Sequence, residues 1–444
     1  MIRSAKKEKI LNVSVFEHGL LSSSNKSSQY NIQHITEAAY EYLRGVCLRD
    51  DSMSRLLSQK IAFGVEVIQV QNYVGVIICP DGTHIEVLPK IAKSNADKDA
   101  AESSRQSLLM MLQKLRQFRH VQTDSANIKK QKLPLLDVFI YQFLLSVNNL
   151  IKKGIKNDYV AEQSNSPFLK GKLLHSQQLK KNFIARHRFY VEFDAYQADT
   201  AANRVIHSAL SKVSRYTKSS ENQKLLQELL FAFEGIPLSK DYKRDFSAIY
   251  LGRGMSYYEA PICWARIVLE SFSPLSMSGN HDAFSLLFPM ETVFENFVAQ
   301  YLSQKVISPQ KISTQTQSKS LVSYGGKNYF RLKPDIFLHN GSANNIIMDT
   351  KWKLIDQNRS SGTEKFGLSQ NDFYQMLGYG HKYLNGVGEL ILIYPKTVHF
   401  DRPLEHVFKY DDKDNLKLKV VPFDVSHQCL ERIDLSYIGI KSPF

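Results

Sequence analysis

Two aspartates stand where strands ought to be apolar, and they constrain this chain more than any other feature of its 444 residues. Asp335 follows Pro334 within residues 329–338, which otherwise read as a strand, and Asp349 ends the apolar run Ile346-Ile347-Met348. Burying an unpaired carboxylate costs several kcal/mol, so a fold that accepts two must supply a cation or a base. His339-Asn340-Gly341-Ser342 turns the chain between the two runs. A hairpin centred near Ser342 sets Asp335 opposite Asp349, where cross-strand Cβ atoms lie about 5 Å apart.

Lys351 is two residues beyond Asp349 and therefore projects from the same strand face. Two carboxylates and an ammonium in one pocket suit Mg²⁺, which favours oxygen ligands, keeps several waters and bridges to phosphate. The ammonium can then orient a water or meet charge growing on a phosphoryl oxygen. The competing reading is an isolated ion-pair cluster without chemistry. Upstream, Glu291 and Glu295 are spaced i, i+4 on a predicted helix over 291–302. Glu295 is the better candidate to complete a metal shell, with a solvated helix face as the alternative for either residue.

The surrounding pattern is multidomain α+β. Residues 1–100 read as a β-rich module, with strands over 65–70, 73–78 and 84–89 and a turn at Asp81-Gly82. A polar stretch over 93–105 reads as a linker or a frayed helix start. Residues 101–275 are mainly helical, at 108–118, 135–151, 201–216 behind the cap Asp199-Thr200, and 223–233. Within them lies a basic, β-containing insertion at 155–198, where Lys170, Lys172, Lys180, Lys181, Arg186 and Arg188 alternate with Phe168, Phe183, Phe189 and Tyr190. That interleaving fits a phosphate-holding surface or, equally, a solvated basic face. From 280 to 444 the order becomes α/β: the 291–302 helix, a short strand at 321–324, strands at 329–338 and 345–353, a polar loop over 356–370, a helix over 371–384 and a buried strand at 389–394.

A net charge of +14 favours a polyanionic partner, although charge alone selects none. Cys47, Cys79, Cys263 and Cys429 are too scattered for a zinc site and read as reduced and structural. No apolar run reaches the roughly 20 residues of a membrane span, and the first residues lack a secretory signal, so the expected location is cytoplasmic with no membrane partner.

Pro334-Asp335 followed by Asp349-Thr350-Lys351 resembles the PD-(D/E)xK nuclease superfamily. Gln375-Met376-Leu377-Gly378-Tyr379 is similar to the QxxxY element of its RecB-like branch. Longer strings narrow the likeness: Phe288-Pro289-Met290-Glu291, Leu332-Lys333-Pro334-Asp335-Ile336, Met348-Asp349-Thr350-Lys351-Trp352-Lys353, Gln370-Asn371-Asp372-Phe373-Tyr374-Gln375 and Leu392-Ile393-Tyr394-Pro395 resemble the McrC family, the nuclease subunits of McrBC modification-dependent restriction systems. Upstream, Val74-Gly75-Val76-Ile77, Ile85-Glu86-Val87-Leu88-Pro89-Lys90-Ile91, Leu169-Lys170-Gly171-Lys172-Leu173 and Asp199-Thr200-Ala201-Ala202-Asn203-Arg204 are similar to strings of the same family.

The resemblance implies a C-terminal PD-(D/E)xK domain cutting modified, methylated double-stranded DNA with Mg²⁺. Asp335, Asp349, Lys351, Gln375 and Tyr379 would form the catalytic set, and Asp335, Asp349, Thr350 and Glu295 the metal surroundings. It also implies a McrB-like GTPase ring that binds the GTP and docks on the N-terminal and middle parts. The chain has no GxxxxGK[ST] loop, since Gly325-Gly326-Lys327 lacks the earlier glycine and the following Ser or Thr. Some family members lack the N-terminal module, whose role stays open. Two other activities compete: a stand-alone RecB-like nuclease, and a non-catalytic activator of a motor.

Overall fold

The computed structural model describes residues 11–24, 32–49, 56–91, 100–113, 134–270, 285–306, 311–339, 345–410, 415–426 and 429–430. It is mixed α/β, with several sheets and ten α-helices among those residues. The chain divides into two compact units, one made of Met1–Gln131 with Ser273–Phe444 and the other of Lys132–Phe272.

In the first unit the strands expected near the N-terminus form, at Val65–Val70, Tyr73–Ile78 and His84–Leu88. Asp81 makes the turn before the last of these by accepting from the amide and hydroxyl of Thr83 at 3.0 and 2.6 Å. One sheet runs Asn12–Phe16, His84–Leu88, Tyr73–Ile78, Ser285–Pro289. Its last strand comes from beyond residue 280, so the segments read as separate, 1–100 and 280–444, share one sheet. Gly75 permits this pairing. Its φ is 134°, and a Cβ there would lie 1.9 Å from the Leu286 carbonyl oxygen. A second sheet, with Val65–Val70 between Leu20–Ser22 and Leu57–Ala62, packs with the Glu37–Arg49 helix around Leu21, Leu43, Ile68, Ile77 and Val87.

The C-terminal part centres on a seven-stranded sheet whose path is Lys311–Thr314, Ile336–His339, Ile346–Thr350, Gly388–Pro395, Leu416–Asp424, Phe408–Lys409, with Cys429–Leu430 on Leu416–Asp424. Gly388–Pro395 lies between parallel partners, which explains its unbroken apolar run: Leu390 to Tyr394 are fully buried. The Gln370–Tyr383 helix covers one face, with Met376 and Tyr379 against Leu390, Leu392 and Tyr394. The Met290–Lys305 helix covers the other, stacking Phe294, Phe297 and Tyr301 around Phe423.

Two sequence readings change here. The single strand expected over 329–338 is two. Lys327–Leu332 pairs with Lys319–Tyr324 in a separate ribbon, and Ile336–His339 joins the main sheet. Pro334 accounts for the break, because it has no amide hydrogen to give a ladder. The polar stretch 93–105 is helical from residue 100, in Ala100–Gln113. Arg105 pins that helix start to Glu86 through two hydrogen bonds of 2.7 Å. Residues 340–342 of the expected turn and 114–118 of the expected helix lie outside the described residues.

The second unit contains the helices Leu135–Lys153, Ala201–Val213, Ser220–Ala232, Tyr242–Ala248 and Glu259–Glu270. Thr200 caps Ala201–Val213 by accepting from the amide of Asn203. By length and composition, Leu135–Lys153 could cross a bilayer, contrary to the expectation that no segment qualifies. It is instead mostly buried within its unit, and its Asp137 accepts from the Thr217 hydroxyl at 2.7 Å. The 155–198 insertion is a three-stranded sheet of Asp158–Ser166, Phe189–Gln197 and Lys172–Leu173, with a short helix, His175–Lys181.

Glu17 is the buried hinge pin of the first unit. Its carboxylate, with no exposed surface, accepts from Trp352 Nε1 at 2.9 and 3.1 Å and from the Lys90 amide at 3.1 Å. Burial raises its pKa to about 7, against the pull of Lys90. The folded state thus keeps a proton that the unfolded chain releases above its ordinary pKa of 4.5. Stability should fall as pH rises through this window and level off above about 7, a change of about 3 kcal/mol. Urea unfolding followed by Trp352 fluorescence in a Trp264→Phe background should show a fall at least this large, since Asp349 is raised over the same window, and Glu17→Gln should remove the Glu17 share of it. An equal slope in both proteins would remove the assignment.

Candidate active site

The hairpin register pairs Ile336 with Met348 and Phe337 with Ile347; continued by one position, it sets Asp335 opposite Asp349. Asp335 leaves the strand just after Pro334. Its Oδ2 accepts from both the amide and the hydroxyl of Thr350, each at 2.8 Å. The Thr350 side chain therefore orients this carboxylate.

Asp349 is 1% exposed. Its Oδ2 lies 2.6 Å from Lys351 Nζ, a close ion pair in a buried setting. Burial and then the negative charge of Asp335 push the Asp349 carboxyl up to about 7, with Lys351 opposing. Asp335 is also raised by burial. For Lys351, burial disfavours the ammonium, but the Asp349 carboxylate outweighs it and holds the lysine above its ordinary value. The pocket therefore keeps a charged lysine beside two carboxyls that resist ionising together.

A chain of hydrogen bonds fixes the lysine. Lys351 Nζ donates to Gln375 Oε1 at 2.9 Å, Gln375 Nε2 donates to the Tyr379 hydroxyl at 2.6 Å, and that hydroxyl donates to the Lys333 carbonyl at 3.0 Å. Gln375 and Tyr379 thus link the strand bearing Lys351 to the segment bearing Asp335. Glu295 is partly buried and accepts from Gln315 Nε2 at 2.7 Å, while Glu291 is exposed. Burial and the charge of Asp335 raise the Glu295 pKa.

Among the described residues, no three His, Cys, Asp or Glu side chains converge closely enough to hold a metal between them, so Glu295 stands beside the aspartate pair rather than in it. The donor set still fits Mg²⁺. This cation is commonly held by one or two carboxylates plus waters and phosphate oxygens, and the pocket offers two carboxyls to a single lysine.

Sequence reasoning passed over a second buried acid. Asp372 accepts from Lys353 Nζ at 2.8 and 3.0 Å and from the Tyr394 hydroxyl at 3.2 Å, and its charge is felt at Asp349 and Lys351. The available signal was spacing: Lys353 repeats the two-residue step of Asp349 and Lys351, and Asp372 precedes Gln375 by one helical turn.

A model of the McrBC 5-methylcytosine restriction system component family matches residues 68–395. The chain belongs to that family. All the residues of the pocket lie inside the matched span. The type IV methyl-directed restriction enzyme EcoKMcrBC of Escherichia coli strain K12 is 25% identical over 289 residues, which are 63% of this chain and 81% of that relative. The fold is similar to a chain in the Thermococcus gammatolerans assembly of McrB AAA+ hexamers with bound McrC, with a TM-score of 0.65 at 20% identity over 93% of this chain and 94% of that one. This McrBC family member thus carries its acidic pocket on the C-terminal sheet.

Tyr379 is the brace whose removal should be felt. Tyr379→Phe takes the acceptor from Gln375 and the donor from the Lys333 carbonyl, and should cost about 1–2 kcal/mol of stability. Equilibrium urea unfolding checks this. A variant as stable as the wild type would mean that the hydrogen-bond chain does not hold the site.

Proposed function

We propose that this chain is the McrC-like nuclease subunit of a GTP-driven McrBC restriction system, cutting modified double-stranded DNA by Mg²⁺-dependent phosphodiester hydrolysis in a PD-(D/E)xK domain. One observation carries the reading: Asp335, Asp349 and Lys351 meet on one hairpin, with the buried Asp349 carboxylate 2.6 Å from the Lys351 ammonium and Asp335 facing it across the register.

Asp335 and Asp349 would hold the cation; Thr350, whose hydroxyl and amide donate to Asp335, orients that carboxylate and keeps its hydroxyl and carbonyl oxygens as further oxygen donors. The chemistry such a cation supplies is charge neutralisation at the phosphate and easier ionisation of water. Lys351, held charged by Asp349 and aimed by Gln375, can orient an attacking water or donate to a phosphoryl oxygen as negative charge grows there. Gln375 and Tyr379 position that ammonium. GTP belongs to a McrB-like ring in this proposal, since the chain has no phosphate-binding loop of its own. Docking of that ring falls to the Lys132–Phe272 unit, where Phe168, Phe183 and Ile184 are 74%, 72% and 93% exposed.

The test is cleavage of modified and unmodified plasmid by the chain with its partner ring, GTP and Mg²⁺. Asp349→Ala and Lys351→Ala should each lower cutting by roughly 10²–10³-fold with duplex binding kept, because both groups act chiefly on the transition state. Equal cutting by all three proteins would sink the site. Intact DNA alongside a stimulated partner GTPase would establish the non-catalytic activator instead.

A further inference from the structure

The ribbon of Lys319–Tyr324 and Lys327–Leu332 pairs with none of the larger sheets. Two strands alone are marginal in water, so the ribbon depends on its anchors. These lie at its base. The Tyr383 hydroxyl is 3.1 Å from the carbonyl oxygens of both Thr316 and Leu332, and Leu321 leans over Gly378, where a Cβ would meet its Cδ1 at 3.7 Å. Tyr383 and Gly378 belong to the same helix that aims Lys351 through Gln375.

The register assigns the faces. Ser320 is opposite Arg331, Val322 opposite Tyr329 and Tyr324 opposite Lys327, so these six share the side away from Leu321. That outer side interleaves Tyr324 and Tyr329 with Lys327 and Arg331, and all four are exposed. Within the second strand, Phe330 is 74% exposed and is held at a φ of 54°, a left-handed backbone disfavoured for a bulky residue and unrewarded here by core packing. From Lys311 to Pro334 the chain carries Lys311, Lys319, Lys327, Arg331 and Lys333 and no acid. The strand then runs directly into Pro334-Asp335.

We infer that this ribbon is the element that grips duplex DNA next to the scissile phosphate. The inference rests on the nuclease reading above and adds to it the surface that seats the substrate. A two-stranded ribbon is one of the shapes that a major groove admits. Its Lys and Arg side chains match the phosphate charge, and its exposed tyrosines can pack against sugars and base edges. Because ribbon and catalytic lysine share one helix as anchor, a duplex held by the ribbon is registered against Asp335 and Asp349.

The experiment is equilibrium binding of a short labelled duplex by the full chain, with and without its partner ring, in a chelator so that nothing is cut. Lys327→Ala/Arg331→Ala should weaken binding at least about tenfold and reduce the slope of log affinity against log salt by about 2, the share of two phosphate contacts. The conservative variant Lys327→Arg, with Arg331 kept, should retain both. Unchanged affinity and slope in the Ala variant would overturn the ribbon while leaving the nuclease reading intact wherever the wild type cuts. Lost stimulation of the partner GTPase with duplex binding retained would assign the ribbon to a protein contact and likewise overturn it. A wild type that binds no duplex, alone or with the ring, would overturn both readings.

Discussion

The burial of Asp349 is the constraint on which the C-terminal architecture turns. A carboxylate at 1% exposure inside an apolar strand is tolerable only where compensating charge is fixed in place. Lys351 provides it from the same strand face, and the strand cannot slip by one residue without sending both groups to the wrong side of the sheet. Asp335 then approaches the same space from the neighbouring strand and is itself satisfied by Thr350. The result is a pocket with more negative charge than its one lysine cancels. That excess is stable only in a rigid frame, which the parallel core strand Gly388–Pro395 provides from behind.

A second buried acid extends this frame to the N-terminal region. Trp352, directly after Lys351, has its indole N–H on Glu17 and its carbonyl 3.2 Å from Lys90 Nζ, while its ring lies against Phe294. The Ile346–Thr350 strand is thus clamped at its exit by residues remote in sequence. Ser285–Pro289 reinforces the clamp, since it pairs with Tyr73–Ile78 immediately before the Met290–Lys305 helix begins. The N-terminal strands therefore act on the geometry of Lys351 through two routes, although none of their residues enters the pocket.

Much of the pocket was legible because its chemistry is local in sequence. The two-residue step from Asp349 to Lys351, the symmetry of a short hairpin and the one-turn spacing of Gln375 and Tyr379 each translate directly into shared faces. The strands over 65–88 and the core strand at 388–395 were likewise visible as alternation and as an apolar run. What stayed hidden depends on partners far along the chain. The separation of Lys327–Leu332 from Ile336–His339 follows from what each pairs with, and apolar content alone makes them look continuous across Pro334. Glu17 reads as an ordinary acid after a strand until Trp352 is brought onto it. The Ala100–Gln113 helix begins in polar sequence because Arg105 finds Glu86, a contact that no window around residue 100 contains.

The Gln370–Tyr383 helix is where these separate pieces become one device. Asp372 in its first turn holds Lys353, Gln375 holds Lys351, Tyr379 holds the carbonyl of Lys333, and Tyr383 holds the base of the ribbon. Successive contacts fall three or four residues apart, so one helix face meets, in order, the two lysines just after the Ile346–Thr350 strand, the approach to Asp335 and the ribbon beyond it. A rigid helix fixes the spacing of everything it touches. Geometry of this kind matters for phosphoryl chemistry, in which small misplacements of charged groups cost large factors in rate. It also means that a force applied to the ribbon reaches Lys351 through covalent helix and a short hydrogen-bond chain. The position of the ribbon base and that of the ammonium are in this way mechanically linked.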